Sequence, residues 1–219
     1  MLIGLVGFAG SGKDTTADYL VENYNFTKYA FSDTLKDVVS IIFDWPRHLL
    51  NGDTVPSRVF RENIDSYWSE KLDRVFTPRL ALQLMGTEAG RNVFHQDIWL
   101  HSLLKRLQVE GNSVISDVRF PNEIEAIIAS GGEIVRIRRD NEPEWYSTAY
   151  NENITNPDDH WILYDRKETM DRKYPNVHVS KWAWIGHPEV RYIIDNYSTR
   201  DALYAKIDKY MFSQKIVEK

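Results

Sequence analysis

Two rhythms of apolar and polar positions run along the chain. Leu2-Ile3-Gly4-Leu5-Val6 is a short unbroken apolar run closed by glycines, the pattern of a parallel strand buried on both faces. Beyond the turn, a helix is predicted over Lys13 to Asn23 and a short strand over Thr27 to Tyr29. Ser32 is expected to cap the next helix, through Ile42, with Leu35, Val38, Val39 and Ile42 at helical spacing. From Phe43 to Phe76 the periodicity weakens and charge rises, so loop with short helices is expected. Thr77-Pro78 reads as an N-cap with proline in the first turn, opening a helix with Leu80, Leu84 and Met85 on its apolar side.

A further helix is expected over Ile98 to Leu107. Gly111-Asn112 turns into a strand at Ser113-Val114-Ile115-Ser116 that ends at Asp117. Ile124 to Ala129 reads as helix, Gly131-Gly132 as its stop, and Glu133 to Ile137 as strand. The last pair is Tyr192-Ile193-Ile194 as strand and Thr199 to Met211 as helix, with Ser198 and Asp201 placed as a capping box. Strands alternating with helices imply an α/β fold with a mostly parallel sheet, in a single domain over residues 1–219. The stretch from Asp140 to Ser180 breaks the alternation. It is aromatic and acidic, with Asp158, Asp159 and Asp165 among its acids, and reads as an insertion or lid.

Composition narrows the function classes. The chain has no cysteine, which excludes disulfides and thiolate chemistry and leaves oxygen or imidazole ligands for any metal. A net charge of -5 argues against a nucleic acid polymer as partner, since backbone binding calls for a basic face. No apolar run approaches about 18 residues, so no membrane span and a cytoplasmic location are expected. Neither repeats nor low-complexity segments occur. A homodimer is compatible with the sequence and not specified by it.

The chemistry-bearing motif is Gly7-Phe8-Ala9-Gly10-Ser11-Gly12-Lys13, a phosphate loop between a predicted strand and a predicted helix. Its glycines let successive N–H groups point at a β-phosphate, the helix adds the positive end of its dipole, and Lys13 adds a full charge. Asp14 stands where serine or threonine commonly meets Mg²⁺. It reads equally as a metal-holding carboxylate and as a first-turn acid favoured by the helix dipole. Thr15 and Thr16 are available to an α-phosphate or to the helix's own carbonyls.

Asp117, at a strand's carboxyl end, stands where open α/β sheets place their ligands, and Arg119 is two residues on. Arg79 and Gln83, one helical turn apart, share a face that is either solvated or aimed at a ligand. Lys36, Arg58, Arg61 and Arg91 are surface charges by default. Arg136 and Arg138 share one face of a strand expected to be largely buried, so something anionic or π-rich should meet them. His160, His178 and His187 show no metal-ligand spacing. Two other readings stay open: a P-loop kinase of another small phosphorylated metabolite, such as phosphomevalonate, and a nucleotide-hydrolysing switch or motor. The second lacks support, because no Asn-Lys-x-Asp motif occurs.

The motifs resemble those of the bacteriophage deoxynucleoside monophosphate kinases, a branch of the P-loop nucleoside monophosphate kinases. The resemblance rests on Gly7 to Asp18, Leu35-Lys36-Asp37, Arg61-Glu62, Arg79 with Gln83 and Gly86-Thr87-Glu88, Trp99, Asp117-Val118-Arg119, and Tyr192 to Asn196. It implies a five-stranded parallel sheet flanked by helices, an acceptor-binding helical section at about 32–110, and a lid at about 140–189. By the same resemblance, Lys13, Arg119 and Asp117 would be catalytic. The donor, ATP, would be held by Gly7, Ala9, Gly10, Ser11, Gly12, Lys13, Asp14, Thr15, Arg139 and Asn196. Asp14 and Asp117 would hold Mg²⁺. Lys36, Arg61, Arg79, Gln83, Trp99 and Asp117 would surround a deoxynucleoside monophosphate (dNMP). If the chain is phage-encoded, its location would be the host cytoplasm.

Overall fold

A computed structural model describes residues 1–107, 111–154 and 168–217. The chain forms two compact units, Met1–Lys28 with Val109–Lys219, and Tyr29–Gln108. The first is built on a five-stranded parallel sheet. Its strands are β1 (Leu2–Val6), β2 (Phe26–Tyr29), β3 (Asn112–Ile115), β4 (Glu133–Arg138) and β5 (Tyr192–Asp195), in the order β2-β3-β1-β4-β5. β1 is central because it is the most apolar strand: Ile3, Leu5 and Val6 are at most 1% exposed. It pairs in parallel with β3 (Ile3↔Val114) and with β4 (Leu5↔Val135, Val6↔Arg136), and β4 pairs with β5 (Ile137↔Ile194).

The chain leaves β1 toward one edge of the sheet and leaves β3 toward the other. The carboxyl ends of these two neighbours therefore flank a topological switch point, the crevice where open α/β sheets bind ligands. The helices of this unit are α1 (Lys13–Tyr24), α7 (Pro121–Ala129), α8 (Tyr146–Ile154), α9 (Glu168–Lys173) and α10 (Arg200–Val217), numbered along the whole chain. α10 lays Leu203, Ile207, Tyr210 and Met211 on the sheet core at helical spacing.

The second unit holds α2 (Ser32–Phe43), α3 (Val55–Glu62), α4 (Ser66–Lys71), α5 (Pro78–Gln83) and α6 (Ile98–Arg106), with a 3₁₀ turn at Arg47–Leu50. Its own core joins Val39, Trp45, Leu50, Phe76, Ala81 and Leu82. The expected cap of α5 is present, as Thr77 accepts from Leu80 N–H ahead of Pro78. Among the described residues no helix is long and apolar enough to cross a membrane.

Several expectations about element ends are corrected. Ser32 is the first residue of α2 and the N-cap position falls on Phe31; Asp33 accepts from Ala30 N–H at the entry. α10 is capped by Thr199, whose hydroxyl accepts from Ala202 N–H, not by Ser198 with Asp201. α7 starts three residues before the expected Ile124, because Pro121 suits the first helical position. The predicted helix on Leu80, Leu84 and Met85 is α only to Gln83 and continues as a π-helix over Leu84–Phe94. Asp158, Asp159, Asp165 and His160 lie outside the described residues.

Trp99 explains the widened turn. Its ring lies so close under Gly90 that a Cβ there would sit 2.6 Å from both the ring and the Met85 carbonyl, and its indole N–H donates to the Gly86 carbonyl at 2.8 Å. Gly90→Ala is expected to destabilise the protein by about 1–3 kcal/mol, the usual cost of overpacking. A lowered urea midpoint with unchanged slope would register it; an unchanged midpoint would show that the π-helix yields freely.

Candidate active site

The loop between β1 and α1 is shaped by what lies beneath it. Gly7 has φ 142°, and a Cβ on it would meet the Ile137 carbonyl at 2.4 Å; at Gly12, φ 104°, a Cβ would meet Asn196 Nδ2 at 2.6 Å. Asn196 itself is buried, donates to the Ser11 carbonyl (2.9 Å) and gives its own N–H to the Arg138 carbonyl (2.7 Å). It braces the loop from below. Ser11 N–H closes a turn onto the Phe8 carbonyl (3.2 Å), and the buried Ser11 Oγ has no hydrogen-bond partner among the described groups. Ala9 and Gly10 form the exposed rim, while Thr15 is half-buried next to the buried Thr16. The first N–H groups of α1 have no intrahelical acceptor and point out of the helix end, a cradle that fits phosphate oxygens.

Lys13 Nζ donates to the carbonyls of Gly7 and Phe8, both at 2.8 Å. Burial pushes its ammonium down to about 8; the Arg119 charge lowers it further, while Asp14 and Asp117 oppose. Lys13 thus feels the charges of Asp14, Asp117 and Arg119 at the switch-point crevice. Arg119 is exposed and is steered by a residue absent from the sequence reading. Buried Glu123 accepts from Arg119 N–H (2.8 Å) and Phe120 N–H (3.1 Å), tying the turn after β3 to the start of α7. An acid three residues after a helix N-cap is the signal that could have flagged it.

Asp14 is exposed and ion-paired with Lys28 at 3.1 Å, and Lys28 also holds Asp18 at 2.8 Å. Its oxygens suit a hard cation, so the residues present fit Mg²⁺, provided Asp14 exchanges Lys28 for it. Arg139 is exposed beyond the end of β4.

The π-rich partner expected for Arg136 is a cage. Its guanidinium lies 5.0 Å from the Trp184 ring, 5.2 Å from Tyr146 and 5.9 Å from Phe8, donates to Tyr146 Oη (3.0 Å), and pairs with Glu142 at 2.5 Å. Phe8 also packs edge-on against Trp145. The residue whose carbonyl holds Lys13 is thus itself clamped by its ring. Arg138 pairs instead with Asp195 at 2.7 Å and lies near the Tyr197 ring.

Of the residues assigned to the acceptor by resemblance, Lys36, Arg61, Arg79, Gln83 and Trp99 belong to the second unit and Asp117 to the first. Lys36 is 3.8 Å from Asp33; Arg61 donates to the Asn51 carbonyl at 3.3 Å; Arg79 pairs with Glu62. Arg79 and Gln83 are both exposed on one face of α5. Trp99 is 9% exposed and serves as the wedge under the π-helix.

Two tests follow from this geometry. In the free protein the proton on Lys13 is held less tightly than in the unfolded chain, so its charge costs stability below about pH 8, a cost relieved as pH rises toward 10.5. A phosphate in the loop favours the charged form. ATP affinity is therefore expected to be greatest below about pH 8 and to fall by up to about tenfold per unit above it, with Lys13→Arg flattening the profile in calorimetric titrations. A flat wild-type profile would contradict the buried ammonium. For the cage, Arg136→Met is expected to cost about 2–3 kcal/mol by stranding Glu142, and Arg136→Met with Glu142→Gln distinctly less. Additive losses in urea unfolding would show that the two side chains do not act as a pair.

No family model matches the chain. Among curated proteins, a mimivirus (Acanthamoeba polyphaga mimivirus) protein, provisionally named a deoxynucleotide monophosphate kinase, is 33% identical over 154 residues, spanning 64% of this chain and 74% of its own. The deoxynucleoside-5′-monophosphate kinase of Escherichia phage T5 is 28% identical over 179 residues, spanning 58% of this chain and 71% of its own. Among solved structures, the shikimate kinase of Aquifex aeolicus covers 99% of both chains at 14% identity, with a TM-score of 0.43, too loose a likeness to bear on substrate. With a phosphate loop at the switch point of the sheet and a viral relative of this similarity, the chain belongs to the deoxynucleotide monophosphate kinase family and is a phosphotransferase.

Proposed function

We propose that the enzyme transfers the γ-phosphoryl group of ATP to a deoxynucleoside monophosphate, giving a dNDP and ADP. The observation that carries this reading is the set of Lys13, Asp117 and Arg119 gathered at the loop's end of the switch-point crevice, in a chain whose relatives are named for deoxynucleotide monophosphates. Phosphoryl transfer needs positioning and spread positive charge rather than an acid–base pair, and this set supplies cations. Lys13 leaves the Gly7 and Phe8 carbonyls for the β and γ oxygens of the donor, and Arg119 meets the transferring group. Gly7, Ala9, Gly10, Ser11, Gly12, Asp14 and Thr15 wrap the donor phosphates, and Arg139 lies beside the donor. Asn196 serves by holding the loop. Asp14 and Asp117 are the residues that would hold Mg²⁺, which when bound would neutralise charge on the phosphates.

For the acceptor, Arg79 takes the phosphate and Gln83 the base edge, with Lys36 and Arg61 adding positive charge and Trp99 keeping the π-helix in shape. Arg79 pairs with Glu62, so an acceptor phosphate must compete with that carboxylate. A guanidinium suits the task because its planar fork matches phosphate oxygens.

A coupled assay of ATP against the four common dNMPs and their ribose forms tests the reading. Lys13→Ala is expected to lose about 10³-fold or more of the rate with the fold intact. Arg79→Ala should weaken every acceptor alike, whereas Gln83→Ala should reorder the bases by about 1–3 kcal/mol. ATP turnover that no monophosphate stimulates would overturn the assignment, and stimulation by a phosphorylated metabolite without a base would redirect it.

A further inference from the structure

Outside the phosphate loop, the second unit gathers three side chains whose chemistry the kinase reaction does not use. His95 is the extended residue that ends the π-helix, Asp97 occupies the N-cap position of α6, and His101 lies one turn into that helix. Backbone bonds from His101 N–H to the Asp97 carbonyl (2.8 Å) and from Ile98 N–H to the His95 carbonyl (3.0 Å) set their spacing. One ligand atom of each lies within 4.8 Å of the others, and the two imidazole rings are 5.6 Å apart. Within the cluster, Asp97 Oδ2 lies 3.9 Å from His95 Nδ1.

We propose that His95, Asp97 and His101 form a binding site for a divalent transition-metal ion of the Zn²⁺, Co²⁺ and Ni²⁺ class, distinct from the Mg²⁺ of phosphoryl transfer. The donor set decides the class. Two imidazoles with one carboxylate suit Zn²⁺ and its neighbours, whereas Mg²⁺ prefers all-oxygen surroundings and keeps its waters. Around a tetrahedral ion with bonds of about 2.0–2.1 Å, ligand atoms stand about 3.4 Å apart. The carboxylate, only 18% exposed, is the fixed point, and the two exposed imidazoles turn to close the difference. At His95 the ion takes the place of the Asp97 N–H that Nδ1 accepts at 3.0 Å. Three protein ligands leave a position for water. The ion would tie the end of the π-helix to the first turn of α6, the helix that carries the Trp99 wedge.

Calorimetric titration of the untagged full chain with Zn²⁺, in excess Mg²⁺, is expected to show a single saturable site, and Zn²⁺ is expected to raise the melting temperature. Co²⁺ should give visible absorption bands of low coordination number that Zn²⁺ abolishes. His101→Ala and Asp97→Asn should each weaken Zn²⁺ binding at least about tenfold, a loss that even supporting residues of metal sites produce. His101→Ala should melt as the wild type does without added metal, since that ring is exposed. Wild-type protein with no saturable heat would overturn the proposal. So would His95→Ala and His101→Ala variants that titrate like wild type, because the ion would then sit on other histidines.

Discussion

An ammonium group drawn out of water at the end of the central strand sets the terms for everything around it. Lys13 stays charged at neutral pH because the loop turns the carbonyls of Gly7 and Phe8 onto it, and because Asp14 and Asp117 offset the cost of burial and of Arg119. That arrangement requires a backbone bent where β-carbons would collide with Ile137 and Asn196, hence glycine at positions 7 and 12. It also requires a floor that does not move. Asn196 supplies it by bonding at once to the loop and to the end of β4.

A second buried cation stabilises the same loop from the side. Arg136 is paired across the sheet with Val6, the last residue before the loop, so its guanidinium emerges beside Phe8. Around it close Tyr146, Trp184 and Glu142, all from the segment after β4. A charge this buried is tolerable only when hydrogen-bonded and paired, and here the rings add their quadrupoles to one carboxylate. The aromatic richness of that segment thus has a structural use: it packs the region beyond β4 onto the phosphate loop.

The helical unit answers a different constraint. Trp99 is too large for a regular helix to pass over it closely, so the chain widens into a π-helix and presents glycine at the contact. The short α3 and α5 carry Arg61, Glu62, Arg79 and Gln83, and each cation there is already engaged by an acid or a carbonyl. Such pairing keeps exposed guanidiniums oriented at small energetic cost, since surface ion pairs contribute little by themselves.

Much of the architecture could be read from the chain because the periodicities were strong. Four apolar runs and a short strand at Thr27 to Tyr29, alternating with helical stretches, specify a parallel sheet, and the glycine-rich loop with its lysine marks the donor end; Thr77-Pro78 likewise announces α5. Local signals failed where several polar residues competed for one role. Thr199 caps α10 in place of Ser198, and the N-cap position of α2 falls on Phe31 instead of Ser32, because the winner depends on where the preceding turn delivers the backbone. The strand alternation placed Arg136 and Arg138 on one face and foresaw a π-rich or anionic partner, yet could not name Phe8 and Trp184, which are remote in the chain, or Tyr146 and Glu142, which the turn after β4 brings back onto the strand. By itself, then, the sequence determined the strands, the loop chemistry and the kinship, all written in contiguous residues. Only the tertiary structure decided the floor under the loop, the cage beside it, the Lys28 pair on Asp14 and the π-helix over Trp99, because each depends on which remote side chains folding brings within a few ångströms.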